Sequence, residues 1–242
     1  MELFTTANLL ALLTLTFLEI VLGIDNIIFI SIVTDKLPQD KQKFARVLGL
    51  FLAMIMRIIL LALITQLEVL NDTLFTLFEV DISGKGLILL GGGLFLLVKS
   101  TLEIHHKVEQ IEHTSEVVQK KISMGNALFQ IVMLDLVFSF DSILTAVGLS
   151  DNLLIMTIAV VISLIVMMVF ANSISEFINN HPSLQLLALS FLILIGFMLI
   201  LEAFHFEIPK GYIYFAVMFS FMIELLNMRF RAKKKALKVK KK

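Results

Sequence analysis

Apolar positions in this chain come in long runs, not as one stripe on each element. LLALLTLTFLEIVLGIDNIIFISIV, GLFLAMIMRIILLALI and SLQLLALSFLILIGFMLIL are three of seven. About 20 such residues carry a helix across the roughly 30 Å hydrocarbon core of a bilayer. A hydropathy window of about 19 residues predicts membrane helices near 7–33, 45–67, 84–102, 124–149, 153–177, 184–204 and 210–228. Pro38, Pro182 and Pro209 all fall in the connections, where a missing N–H costs no helical bond. The first run follows only Met1 and Glu2, with no basic stretch before it and no small-residue cleavage site after it, so it is expected to be a retained helix and not a signal peptide.

Carboxylates interrupt the pattern where they are least welcome. LEIVLGIDNII, residues 18 to 28, holds Glu19, Asp25 and Asn26, and LDLVFSFDSIL, residues 134 to 144, holds Asp135, Asp141 and Ser142. The two stretches align acid on acid at an offset of 116, which also pairs Gly23 with Ser139 and Asp35 with Asp151. LEIH at 102–105 resembles LEAFH at 201–205. Helices 1–3 therefore read as a unit repeated in helices 4–6, with the seventh added. Three is odd, so successive units face opposite ways, as in secondary transporters with sites between inverted repeats. The expected fold is an all-α membrane protein of seven transmembrane helices, an inverted 3+3 repeat plus one C-terminal helix. Its segments are 1–102, a cytoplasmic loop at 103–123, the second repeat at 124–204, the seventh helix at 205–228 and a basic tail at 229–242.

An acid at the bilayer centre costs about 2.5 kcal/mol or more, so four of them require compensation. Repulsion within the cluster favours holding protons when no cation is present, and a divalent cation would discharge it. Carboxylate, amide, hydroxyl and carbonyl oxygens make a hard site suited to Mn, Mg or Ca. On a regular helix Glu19 shares a face with Gly23 and Asn26, and Asp135 with Ser139 and Ser142, whereas the second acids are turned about 120° away. Either the helices loosen at Gly23 and Ser139, freeing carbonyls as ligands, or the second acids face other neighbours. Arg57, in the middle of the second helix, is the expected tethered cation that neutralises the acids when metal leaves; the alternative is a structural ion pair. The 116 offset places Ser173 opposite it.

Composition narrows the class further. Of 242 residues, 58% are hydrophobic and 17% charged, and the mean hydropathy is +0.95, which excludes a soluble globular domain. The formal charge is zero, but Lys36, Lys41, Lys43, Arg46, Lys99, Lys107, Lys120, Lys121 and the tail from Arg229 gather on one side, with Lys85 and Lys210 on the other. The positive-inside rule then puts the N-terminus out and the C-terminus in. The absence of cysteine excludes disulfides, thiolate metal sites and thiol catalysis. The chain carries no phosphate loop, nucleophile–base pair or zinc-protease signature, so neither an ATP-driven pump nor an enzyme is expected. No permanently bound cofactor and no nucleic-acid partner are expected; the partners are the bilayer, metal ions and protons.

LEIVLGIDNIIFISIV and LDLVFSFDSILTAVGLS resemble the TerC family of integral membrane proteins, named for tellurium-ion resistance, from about residue 5 to 230. The resemblance implies seven helices in a bacterial inner membrane or an organelle membrane. It further implies export of manganese, Mn(II), with Glu19, Asp25, Asn26, Asp135, Asp141 and Ser142 along the ion pathway. It leaves open a non-transporting membrane partner in tellurite resistance or in metallation of exported proteins.

Three weaker features complete the reading. His106, Glu109 and His113 share a helical face after helix 3, a metal-sensing site or, more simply, a solvated charged helix. Gly91, Gly92 and Gly93 permit close packing. The segment Glu68–Asp81 is expected as an acidic outer loop that either gathers cations or is simply solvated.

Overall fold

The computed structural model describes residues 5–63, 72–77, 80–112, 122–149, 152–206 and 209–239; the side chains of Asp25 and Asp141 are among those outside the description. The helices are α1 (Thr6–Asp35), α2 (Gln39–Ala62), α3 (Gly84–Glu112), α4 (Met124–Leu149), α5 (Leu153–Asn179), α6 (Pro182–Ala203) and α7 (Lys210–Val239). Strands β1 (Thr73–Leu77) and β2 (Val80–Ser83) lie between α2 and α3. Among the described residues six helices are long and apolar enough to cross a membrane, and Met124–Ser139 is a shorter apolar stretch of α4. The chain is an all-α membrane protein, with seven helices among the described residues.

Local chemistry sets the helix starts. The Asn152 side chain accepts the N–H of Leu154 at 3.0 Å and of Ile155 at 3.4 Å, capping α5. Pro182 opens α6, where its missing N–H has no intrahelical partner to lose.

Hydropathy misplaces several other ends. α2 begins at Gln39, not near 45, because DKQK is helix-favouring although polar. α3 runs on through EIHHKVEQIE to Glu112 and α7 through the basic segment to Val239, so the expected loop and tail are helical that far. The expected outer loop contains the β1–β2 hairpin, in which Phe75 pairs with Ile82 and the Thr76 hydroxyl donates to Asp81 at 2.7 Å. Residues 64–71 and 78–79, with Glu68 and Glu79, lie outside the described residues.

α1, α2, α4 and α5 form the central bundle, with α1 packed along α5, α2 along α4, and less extensive contacts of α2 with α5 and of α1 with α4. α3 and α6 pack along each other and meet the bundle through α3–α4 and α1–α6. Exchanging α1 with α4, α2 with α5 and α3 with α6 maps these pairings onto one another. Burial sets the register of that exchange. The buried stripe Ala45, Arg46, Gly49, Leu50, Ala53 and Arg57 of α2 recurs 114 residues on as Ala159, Val160, Ser163, Leu164, Met167 and Ala171 of α5. The offset of 116 seen in α1 and α4 therefore does not carry into the second helices, because α4 ends at Leu149, two residues sooner after Asp135 than α1 ends after Glu19, while the connections that follow are equal in length. Ala171, not the exposed Ser173, is the counterpart of Arg57.

The α3–α6 contact depends on glycine. A Cβ at Gly93 would lie 2.6 Å from the Gly196 carbonyl oxygen, and one at Gly196 would lie 2.9 Å from that of Gly93. The helices thus meet backbone to backbone, as small residues allow in membranes. Gly92 packs against Val137 of α4, and Gly91 faces open space. Gly196→Val should destabilise the protein by about 1–3 kcal/mol through overpacking, read as an earlier unfolding midpoint in a denaturing detergent titration. Gly91→Val should leave that midpoint nearly unchanged. Equal shifts in the two variants would refute the close crossing.

Candidate functional site

Glu19 and Asp135 stand near the centres of α1 and α4, and Arg57 reaches both from α2. Its Nη1 donates to Glu19 Oε2, its Nη2 donates to Asp135 Oδ1 at 2.8 Å, and its Nε donates to Ser139 Oγ at 2.9 Å. The Ser139 hydroxyl donates in turn to Asp135 Oδ2 at 2.9 Å. Asn26 Nδ2 completes the group on Asp135 Oδ1 at 3.2 Å. Arg57 is 2% exposed and Glu19 3%, so this charged network is screened from solvent by the bundle. Removing any one charge would strand the others in a medium that does not solvate them.

Helical periodicity explains the assembly. Glu19, Gly23 and Asn26 recur at four and three residues along α1, as Asp135, Ser139 and Ser142 do along α4, so each set presents one face to the facing helix. Both helices run unbroken through Gly23 and Ser139. Of the two alternatives, loosening at Gly23 and Ser139 is therefore not found: the Ser139 hydroxyl donates to Asp135 one turn back and accepts from Arg57. Ser142 is buried but bonds to the Ser139 carbonyl at 3.2 Å, within its own helix. The side chains of Asp25 and Asp141 lie outside the described residues.

A second buried polar network lies at the end of the bundle where α1 finishes and α2 begins. Arg46, counted from sequence as a charge outside the membrane core, is 7% exposed. It donates to Thr34 Oγ1 at 3.1 Å, Asn172 Oδ1 at 3.2 Å and Gln42 Oε1 at 3.1 Å. Nearby Ser31 and Ser175 share a 2.6 Å hydrogen bond, and Asn179 links Asp35 at 3.2 Å to Gln185 at 2.9 Å. One signal for Arg46 was legible: it precedes Arg57 by eleven residues, three turns, and so shares its face.

Ion pairs tie α3 to the same end. Glu103, the first residue of the expected loop, is 3% exposed and pairs with Lys36 and with Lys99. Lys107 lies 3.9 Å from Asp35. The basic residues Lys36, Arg46, Lys99 and Lys107 are thus gathered at one end, while Lys85 pairs with Glu202 at 3.2 Å beside the hairpin. Of the three residues of the expected histidine cluster, His113 is outside the described residues; Glu109 meets His105 at 3.1 Å, both largely exposed. Among the described residues, no three His, Asp or Glu side chains stand close enough together to hold a metal ion.

Comparison with known proteins now supplies the family. The chain is 56% identical over 220 residues to the UPF0053 inner membrane protein YgdQ of Escherichia coli, covering 90% of this chain and 92% of that protein. It is 48% identical to a UPF0053 protein of Haemophilus influenzae, with 92% and 94% covered. It is also 48% identical to the UPF0053 inner membrane protein YoaE of Escherichia coli, of which it spans 42%. No solved structure matches the chain. The family model described as Integral membrane protein TerC family matches residues 4–238, nearly the whole length. The chain belongs to the TerC family of integral membrane proteins.

Proposed function

We propose that this protein exports divalent metal cations, Mn(II) foremost, by alternating access at the buried acid pair and in exchange for protons. One observation carries the reading: equivalent positions of two repeated units bring Glu19 and Asp135 onto a single arginine. Two carboxylates and one guanidinium leave one negative charge, so the resting site needs a proton to be neutral. A divalent cation that displaces Arg57 and that proton neutralises the pair fully. The displaced guanidinium keeps its charge, so loading one divalent cation against one proton adds one net positive charge to the carrier, and Arg57 must find another counter-charge in the loaded state. Asp25, Asn26, Asp141 and Ser142 extend the pathway from the same two helices. In this reading the units are inverted, the site lies near the midplane, and Arg57 is the counter-charge of the empty carrier.

A second reading is a non-transporting membrane partner, in tellurite resistance or in metallation of exported proteins. The bonds from Arg57 to Glu19, Asp135 and Ser139, which tie α2 to α1 and α4 as a structural brace would, favour it. Metal accumulation in proteoliposomes containing the purified protein separates the two. Mn, Mg, Ca, Zn and Fe would be compared with and without a pH gradient. Accumulation above empty liposomes, driven by the gradient, is the expected result; none with any of the five metals sinks the exporter reading.

The same reading places the chain in a bacterial inner membrane, as two of its relatives are named, with the N-terminus out and the C-terminus in. A reporter fused near residue 110 or at the C-terminus should then read cytoplasmic, and one near residue 75 external. An external C-terminus would refute the orientation.

A further inference from the structure

An all-oxygen site discriminates poorly between Mn and Mg, both of which accept carboxylate, amide and hydroxyl ligands. A softer donor packs against the helix that carries Glu19. In α1, Gly23 lies one turn after Glu19 and three residues before Asn26, on the face that meets Asp135. A Cβ at Gly23 would collide with the Sδ of Met167 from α5, with Met167 Cε only 2.9 Å away. The thioether therefore lies against bare α1 backbone, between the levels of Glu19 and Asn26, in a site 2% exposed.

The repeat explains why it is there. Gly23 is the counterpart of Ser139, 116 residues apart, and Met167 is the counterpart of Ala53, 114 residues apart. In one half, Ser139 receives Arg57, and Ala53, one turn before Arg57, leaves room for the guanidinium. In the other half, Ala171 stands at the place of Arg57, and Met167 fills the space that Ala53 leaves open. The guanidinium thus meets Ser139 in one half, and the thioether meets Gly23 at the equivalent position in the other. A purely structural filler at position 167 needs only volume, which leucine supplies; a flexible, polarisable sulfur supplies a ligand as well.

We propose that Met167 is the specificity-determining ligand of this site, its sulfur favouring transition-metal divalent cations over Mg(II) and Ca(II). The inference rests on the exporter reading and adds to it the basis of choice among metals. When a cation takes the place of Arg57 between Glu19 and Asp135, the sulfur turns from the Gly23 backbone toward it. No covalent step is involved.

The test is calorimetric titration of the purified full-length protein, and of Met167→Leu, with the chlorides of Mn, Cd, Mg and Ca. Cadmium is included because it reports sulfur ligation most strongly. The parent protein should bind Mn and Cd more tightly than Mg and Ca. In Met167→Leu, Cd affinity should fall roughly tenfold or more and Mn less, while Mg and Ca stay within about twofold, so that the preference narrows. Gly23→Ala, which pushes the sulfur aside without removing it, should narrow the preference in the same direction. If the parent binds none of the four cations, the exporter reading falls and this inference with it. If the parent binds them and Met167→Leu leaves their order and spacing unchanged, the exporter reading stands and Met167 is only packing.

Discussion

Arg57→Gln is expected to reduce metal export severely and to make what remains depend more steeply on pH. In the parent protein the guanidinium answers Glu19 and Asp135 at once and also holds Ser139. Removing one partner from a buried ion pair costs about 3–5 kcal/mol, because the remaining charge is left uncompensated. Within the membrane only protons or metal can then answer the two carboxylates, so the export that remains should follow the supply of protons. Metal affinity measured by calorimetry should hold or increase, since a competing cation has gone. Should Arg57→Gln instead weaken metal binding and leave the pH dependence of export as it was, the arginine is a brace and the exchange mechanism fails.

Asp25→Asn and Asp141→Asn are each expected to abolish metal transport while leaving the protein folded and inserted. An amide keeps the size of the carboxyl group and some of its hydrogen bonds but removes its charge. Positions 25 and 141 lie six residues beyond Glu19 and Asp135 on helices that stay regular, so they are turned away from the face Arg57 engages. The Arg57 network should therefore survive the substitutions, and detergent-resistant folding is the control. Near-normal metal accumulation by both variants in proteoliposomes would favour the non-transporting reading. The contrast with Arg57→Gln is informative in itself: that variant should lose both stability and export, these two export alone.

What could be read from the sequence was set by local chemistry. Length and hydropathy place α4 at its observed ends and α5 within two residues, because a membrane span is defined by the solvent around it and not by its neighbours. The acid repeat is equally local, since the cost of a carboxylate in an apolar run is the same whatever packs against it. Where helices leave the hydrocarbon the signal fails. The polar starts and extensions of α2, α3 and α7 have ordinary helix propensity and no hydropathy, and the β1–β2 hairpin is too short to stand out.

Tertiary packing decided the rest. Arg46 and Glu103 look in the sequence like charges outside the membrane core, yet both are buried, because residues far along the chain supply Asn172 and Lys36 as partners. The sequence by itself determined that Glu19 and Asp135 must be compensated, and it offered Arg57 as the nearest cation within the apolar runs. Only the fold decided that one guanidinium takes both acids, that Ser139 joins them while Ser142 turns back on its own helix, and that Met167 fills the space beside Gly23. Each of these turns on distances of an ångström or two between side chains from different helices. Hydrophobic periodicity specifies which face of a helix is buried but not its rotation and depth against its neighbours, and those two quantities determine which polar atoms meet.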